Sequence, residues 1–286
     1  MSFAQKVRRA ADLGRRCAAV LWQSKSLLVL PLISGIAMIV IMLGFLTPII
    51  VSPEFRKVLD GGTPETEFVD YAYGFAFYFV AYFVVVFFNV ALIHCVLSRL
   101  AGGSASVGEG LALAVRRLPQ IIAWALVSAT IGLVLNILRD RAGMAGRVVA
   151  GLAGLGWTVA TYFVVPILAH EGLGPIAALR RSAATLRQTW GEALVAQFGL
   201  GVLVIVPGIV AVLLAGLIGS TLPMSVAGPV FVLIAAAMAF IVFAVQTLGV
   251  VLNAAIYRYA TTGEAPANFD GKALAGMFAP RSGPQK

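Results

Sequence analysis

Tyr71–Leu97 reads YAYGFAFYFVAYFVVVFFNVALIHCVL, without one Asp, Glu, Lys or Arg. A helix needs about 20 residues to cross a hydrocarbon core about 30 Å thick, so this stretch spans a bilayer with residues to spare. Five further runs of the same kind flank it: Leu27–Ile50, Gln120–Leu138, Val148–Ala169, Ala193–Ile218 and Pro229–Tyr257, again free of Asp, Glu, Lys and Arg. Pro31, Pro166 and Pro207 fall inside runs, which membrane helices tolerate when neighbouring groups satisfy the freed backbone. The third and fourth runs are joined by a short loop and predict a helical hairpin. The second and sixth exceed a perpendicular crossing and predict tilt or protrusion.

The remaining composition agrees. The 286 residues are 60% hydrophobic and 12% charged, with a mean hydropathy of +0.96. A soluble domain carries roughly 45–50% apolar and about 25% charged residues. The net charge of +9 sits in short segments between apolar runs, a placement that suits anionic headgroups and argues against nucleic acid. Of 21 Lys and Arg, five (Arg56, Lys57, Arg139, Arg141 and Arg147) fall on one side of the six runs, and the other sixteen on the opposite side. The positive-inside rule makes the richer side cytoplasmic, with both termini there and the chain in an inner (cytoplasmic) membrane. No cleavable signal peptide is visible, because basic residues are spread along the whole segment before Leu27. Cys17 and Cys95 both fall on the cytoplasmic side, where no disulfide is expected.

The basic-side segments show helical periodicity. Phe3, Val7, Ala10, Leu13, Cys17 and Leu21 share one face at about 100° per residue. Ile176, Leu179, Ala183, Leu186 and Trp190 repeat the pattern after Pro175, a favoured first helical position. Ser106 and Glu109 form a capping-box pattern ahead of Leu111, Val115 and Leu118. Each segment feeds a pair of spans, which suggests a three-fold internal repeat over 3–97, 104–169 and 175–257. Even-numbered spans end alike, in Val90-Ala-Leu-Ile-His94, Pro166-Ile-Leu-Ala-His170 and Asn253-Ala-Ala-Ile-Tyr257. The chain therefore predicts an all-α membrane protein: one six-span domain over 1–260 with cytoplasmic amphipathic interfacial helices, and a cytoplasmic tail over 261–286. Phe269, Leu274, Met277 and Phe278 give that tail a further interfacial pattern.

Gly156-Trp-Thr-Val-Ala-Thr-Tyr-Phe-Val-Val-Pro-Ile-Leu-Ala169, Glu171-Gly-Leu-Gly-Pro175, Arg181-Ser182 and Trp190-Gly-Glu192 resemble a family of uncharacterised six-span prokaryotic membrane proteins. Trp22 and Pro31-Leu-Ile-Ser34 look like the same family. The layout is more loosely similar to the membrane domain of some glycerophosphodiester phosphodiesterases, whose catalytic domain has no counterpart here. The resemblance implies architecture and no active site.

Few residues offer chemistry. His94 and His170, the only two histidines, hold matching places and are the candidates for a proton relay or metal site. Two ligands without a third make a poor metal site, so interfacial anchoring is the plainer reading. His170-Glu171 opens like a zinc-protease motif, but position 174 is Gly where the second His belongs. Paired intramembrane aspartates are absent, and Ser34-Gly35 lacks the glycine of a rhomboid-like nucleophile. No catalytic residue, cofactor or metal is expected. Gly146, Ala150 and Gly154, like Ala211, Ala215 and Gly219, read as small-residue packing faces. Asn89, Asn136, Thr158, Thr161, Gln197, Gln246 and Asn253 lie at membrane depth, as helix-to-helix glue or as a solute path. Arg116, Arg117, Arg180, Arg181, Arg187 and Trp190 are the expected contacts to lipid headgroups. The expected function is a non-enzymatic organiser of lipid or of a membrane protein partner; the rival is a passive transporter or channel.

Overall fold

A computed structural model of the chain describes residues 15, 17–19, 25–52, 68–141, 143–188, 192–221 and 223–263. Among them there is no strand. After a 3₁₀ turn at Lys25–Leu28 come α1 (Val29–Val51), α2 (Phe68–Leu100), α3 (Val107–Arg116), α4 (Leu118–Arg141), α5 (Gly143–Ala160), α6 (Val164–His170), α7 (Pro175–Gln188), α8 (Glu192–Thr221) and α9 (Met224–Thr262). Among the described residues, six segments are long and apolar enough to cross a membrane: Lys25–Val51, Tyr71–Leu100, Leu118–Arg139, Gly146–His170, Val204–Thr221 and Ser225–Thr262. They match the six runs read from the sequence to within a few residues, except that Val204–Thr221 starts well inside the fifth. The expected N-terminal amphipathic segment apart from residues 15 and 17–19, the first long loop, Trp190 and the tail pattern lie outside the described residues.

The chain forms two compact units. One comprises Ser26–Cys95 and Ser104–Leu186; the other comprises Met1–Lys25, Val96–Gly103 and Arg187–Lys286. In the first, α1 and α2 meet through aromatic contacts: the Phe45 ring lies 5.2 Å from that of Tyr73 and 5.4 Å from that of Phe77. The Tyr73 hydroxyl donates to the Phe45 carbonyl. The α4–α5 hairpin closes as the short loop predicts. Trp124 stacks on Trp157 at 5.6 Å with an 11° tilt, and Gly146 and Ala150 are buried on the small-residue face. The core of this unit gathers Ala91, Leu92, Cys95, Ile121, Ala125, Phe163, Ile167, Leu168 and Ala178, all buried. It therefore lies toward the end of the spans where the short helices α3 and α7 join, while Ile36, Val40, Leu43, Leu152 and Leu155 are exposed, as lipid-facing side chains can be without cost.

The fourth span is not one helix. Pro166 has no N–H for the carbonyl four residues back, and its ring crowds that turn. The chain breaks into a turn at 161–163 before resuming as α6. The break exposes the Phe163 N–H to an apolar interior, and Ser182 of α7, itself fully buried, accepts it at Oγ, 3.0 Å away. Val164 N–H donates to the Thr161 carbonyl at 3.0 Å, which tightens the turn.

In the other unit α8 pairs with α9. Ala211 and Ala215 line a shallow cleft of about 310 Å³ with Phe231, Ile234 and Ala235, so the small-residue face of α8 does turn toward a helix. At 39 residues, α9 is ~58 Å long at 1.5 Å per residue and far exceeds a perpendicular crossing. Its end segment Ala254–Tyr257 is buried, as are Val90–Ile93 and Pro166–Ala169 at the ends of the other even-numbered spans.

A candidate functional site at the span ends

Within the first unit, one end gathers residues from the close of α2, the start of α3, the α3–α4 break and the α6–α7 turn. Local chemistry places each. Ser106 caps α3: its Oγ accepts the Glu109 N–H at 3.2 Å, and Glu109 Oε2 accepts the Ser106 N–H at 3.1 Å. This is the reciprocal arrangement that the S-x-x-E spacing predicts. The Cys95 thiol donates to the Ser106 carbonyl at 3.3 Å, tying the cap to α2. Gly110 makes the contact possible. A Cβ there would fall 2.6 Å from Cys95 Sγ and 2.7 Å from the Ala91 carbonyl oxygen, so only glycine lets α3 lie this close to α2.

The capped Glu109 falls within electrostatic reach of His94, and so does His170. The two histidines at matching sequence positions are thus brought to one locale. His94 is partly buried and His170 exposed. Among the described residues, no three His, Cys, Asp or Glu side chains converge as a group able to hold a metal ion. The sequence reading did not single out Glu109 for its charge, although the capping box placed it in α3.

α3 ends at Arg117, whose backbone leaves the helix before α4 begins. Arg116 is exposed and Arg117 partly buried. The Arg117 guanidinium lies close to Gly172, which has φ +67°. A Cβ at 172 would collide with the guanidinium, and the backbone angle itself calls for glycine. Arg117 Nε and, one helical turn on, Gln120 Oε1 are buried without a hydrogen-bond partner among the described residues. Glu171, beside Gly172, is engaged by Arg181, whose Nε donates to its Oε1 at 3.2 Å.

α7 is helical over Pro175–Gln188. Its buried face is Ala178, Ser182, Thr185 and Leu186, whereas Ile176 is 66% exposed and Leu179 and Ala183 are intermediate. The face against the protein is thus mostly small and hydroxylated, with Leu186 of the expected apolar stripe buried in it and Ser182 reaching the Phe163 N–H. Arg180, Arg181 and Arg187 are exposed.

The architecture is that of a polytopic all-α protein built from membrane-span helices. Residues 68–267 match the family of unknown function DUF6159, and the chain belongs to that family. The match begins at the first residue of α2 and leaves α1, with Pro31–Ser34, outside it. No curated protein matches the chain.

Proposed function

We propose that this protein is a non-enzymatic organiser of lipid, or of a protein partner held through lipid, in an inner (cytoplasmic) membrane, with both termini on the cytoplasmic side. The reading rests on exposed arginines, Arg116 on α3 and Arg180, Arg181 and Arg187 on α7, carried by short helices that adjoin span ends. Guanidinium groups at that level attract anionic headgroups, each worth about 1 kcal/mol near a charged surface. Intramembrane hydroxyls add support of another kind. Thr47, Thr130, Thr158, Thr161 and Thr247 each donate to the carbonyl one turn back in their own helix, which satisfies them without a solute. A passive conduit would instead use such groups along a hydrated path.

The test is isolation of the full chain in nanodiscs formed from its host membrane, with mass spectrometry of bound lipids and proteins against an unrelated six-span control. Enrichment of anionic lipid, or a stoichiometric membrane partner, is the expected result. Neutral lipid only, together with solute flux in proteoliposomes, would transfer the case to a transporter.

A further inference from the structure

Among the described residues, the cation at the junction of α3 and α4, Arg117, has no ion-pair partner. Arg117 immediately precedes Leu118, where the apolar window of the third span opens, and Gly172 follows His170, where that of the fourth closes. Both therefore stand at the boundary between hydrocarbon and headgroups. Arg117 Nε is buried and unbonded among the described residues, and the carboxylate of the adjoining turn, Glu171, is bonded to Arg181. A half-buried guanidinium left so is costly. Its guanidinium lies close to Gly172, where a side chain would collide with it. Gln120 Oε1, one turn along α4, is a buried acceptor that lacks a donor.

We propose that Arg117 and Gln120 form a site for the headgroup of an anionic phospholipid. The guanidinium pairs with the phosphodiester, for which its planar fork is suited, and the Gln120 amide oxygen accepts from a headgroup hydroxyl. A glycerol headgroup supplies both groups. A choline headgroup offers no donor to Gln120 and brings its own positive charge. The site deepens the lipid-organising reading and rests on it.

Delipidated full-length protein in detergent, titrated with short-chain phosphatidylglycerol, phosphatidylcholine of equal chain length or inorganic phosphate, and read by native mass spectrometry and thermal unfolding, tests the site. The wild type should retain phosphatidylglycerol about tenfold better than phosphatidylcholine, the factor expected from one charge-assisted hydrogen bond. Arg117→Gln should lose that preference. Arg117→Lys, which keeps the charge and the fold but not the fork, should keep part of it, and Gln120→Leu should weaken it severalfold. Arg147→Gln, an exposed arginine at the start of the fourth span, should leave it unchanged. Wild-type preference in both Arg117 variants overturns the proposal, as does displacement of lipid by equimolar inorganic phosphate, which would mark a free-anion site. If phosphatidylglycerol stabilises every variant alike, this site falls while the broader lipid reading stands. If no lipid stabilises even the wild type, both fall.

Discussion

At the residue scale, buried polar contacts carry the sharpest expectations. Ser182→Ala removes the buried Oγ that accepts from the Phe163 N–H, a loss of about 1–3 kcal/mol. Unfolding in mixed micelles should show a lower midpoint, whereas Ala184→Ser on the exposed face of α7 should not. Gly110→Ala drives a methyl into Cys95 Sγ and the Ala91 carbonyl together and should cost about 1–3 kcal/mol. Adding Cys95→Ala should recover only part of that, because the backbone oxygen cannot move aside as a side chain can. Burial also pushes the Cys17 thiol up to about 12, since a thiolate is disfavoured away from water. The thiolate is the reactive form, so in a Cys95→Ser background the folded protein should resist maleimide at about pH 8 and react fully once unfolded. Rapid labelling of folded protein would contradict the burial.

At the element scale, α3 and the broken fourth span differ in what holds them. The α3 cap is local: Ser106→Ala should cost about 1 kcal/mol. Glu109→Gln should cost less, because the amide oxygen can still accept the Ser106 N–H; a calorimetric comparison of the two variants checks the order. That capping box was legible from the spacing of two residues, because both of its hydrogen bonds close within one turn. The α5–α6 break was legible only in part. Pro166 announces a fault, but the acceptor that makes the fault tolerable comes from sixteen residues further along, on another helix. The orientation of α7 follows from the same contact. Periodicity groups residues by face, but only the fold shows that the Ser182 hydroxyl is buried while Ile176 is exposed.

At the scale of the whole molecule, topology is the open quantity, and charge asymmetry predicts it. In a cysteine-free background, Gly62→Cys should react with an impermeant maleimide applied to intact cells, and Ser104→Cys should react only after permeabilisation. The reverse pattern would invert the orientation and move the arginines of α3 and α7 to the outer face. The histidines belong to this scale too, since folding brings them together from different spans. If they only anchor span ends, His94→Ala and His170→Ala should leave expression and membrane insertion unchanged. Joint loss of a cellular phenotype in folded variants would restore the relay reading.

The sequence by itself determined the number of the spans and, for all but the fifth, their approximate limits, the α4–α5 hairpin and the α3 cap. Each depends on the transfer of a continuous apolar run out of water, or on hydrogen bonds between near neighbours, and both are written in consecutive residues. Tertiary structure alone decided that Ser182 closes the backbone at Phe163, that Gly110 admits Cys95 and Ala91, that Gly172 seats Arg117, and that His94, Glu109 and His170 share one locale. Those are approaches of a few ångströms between segments far apart in the chain. A glycine or serine in the sequence does not disclose which distant backbone will press against it.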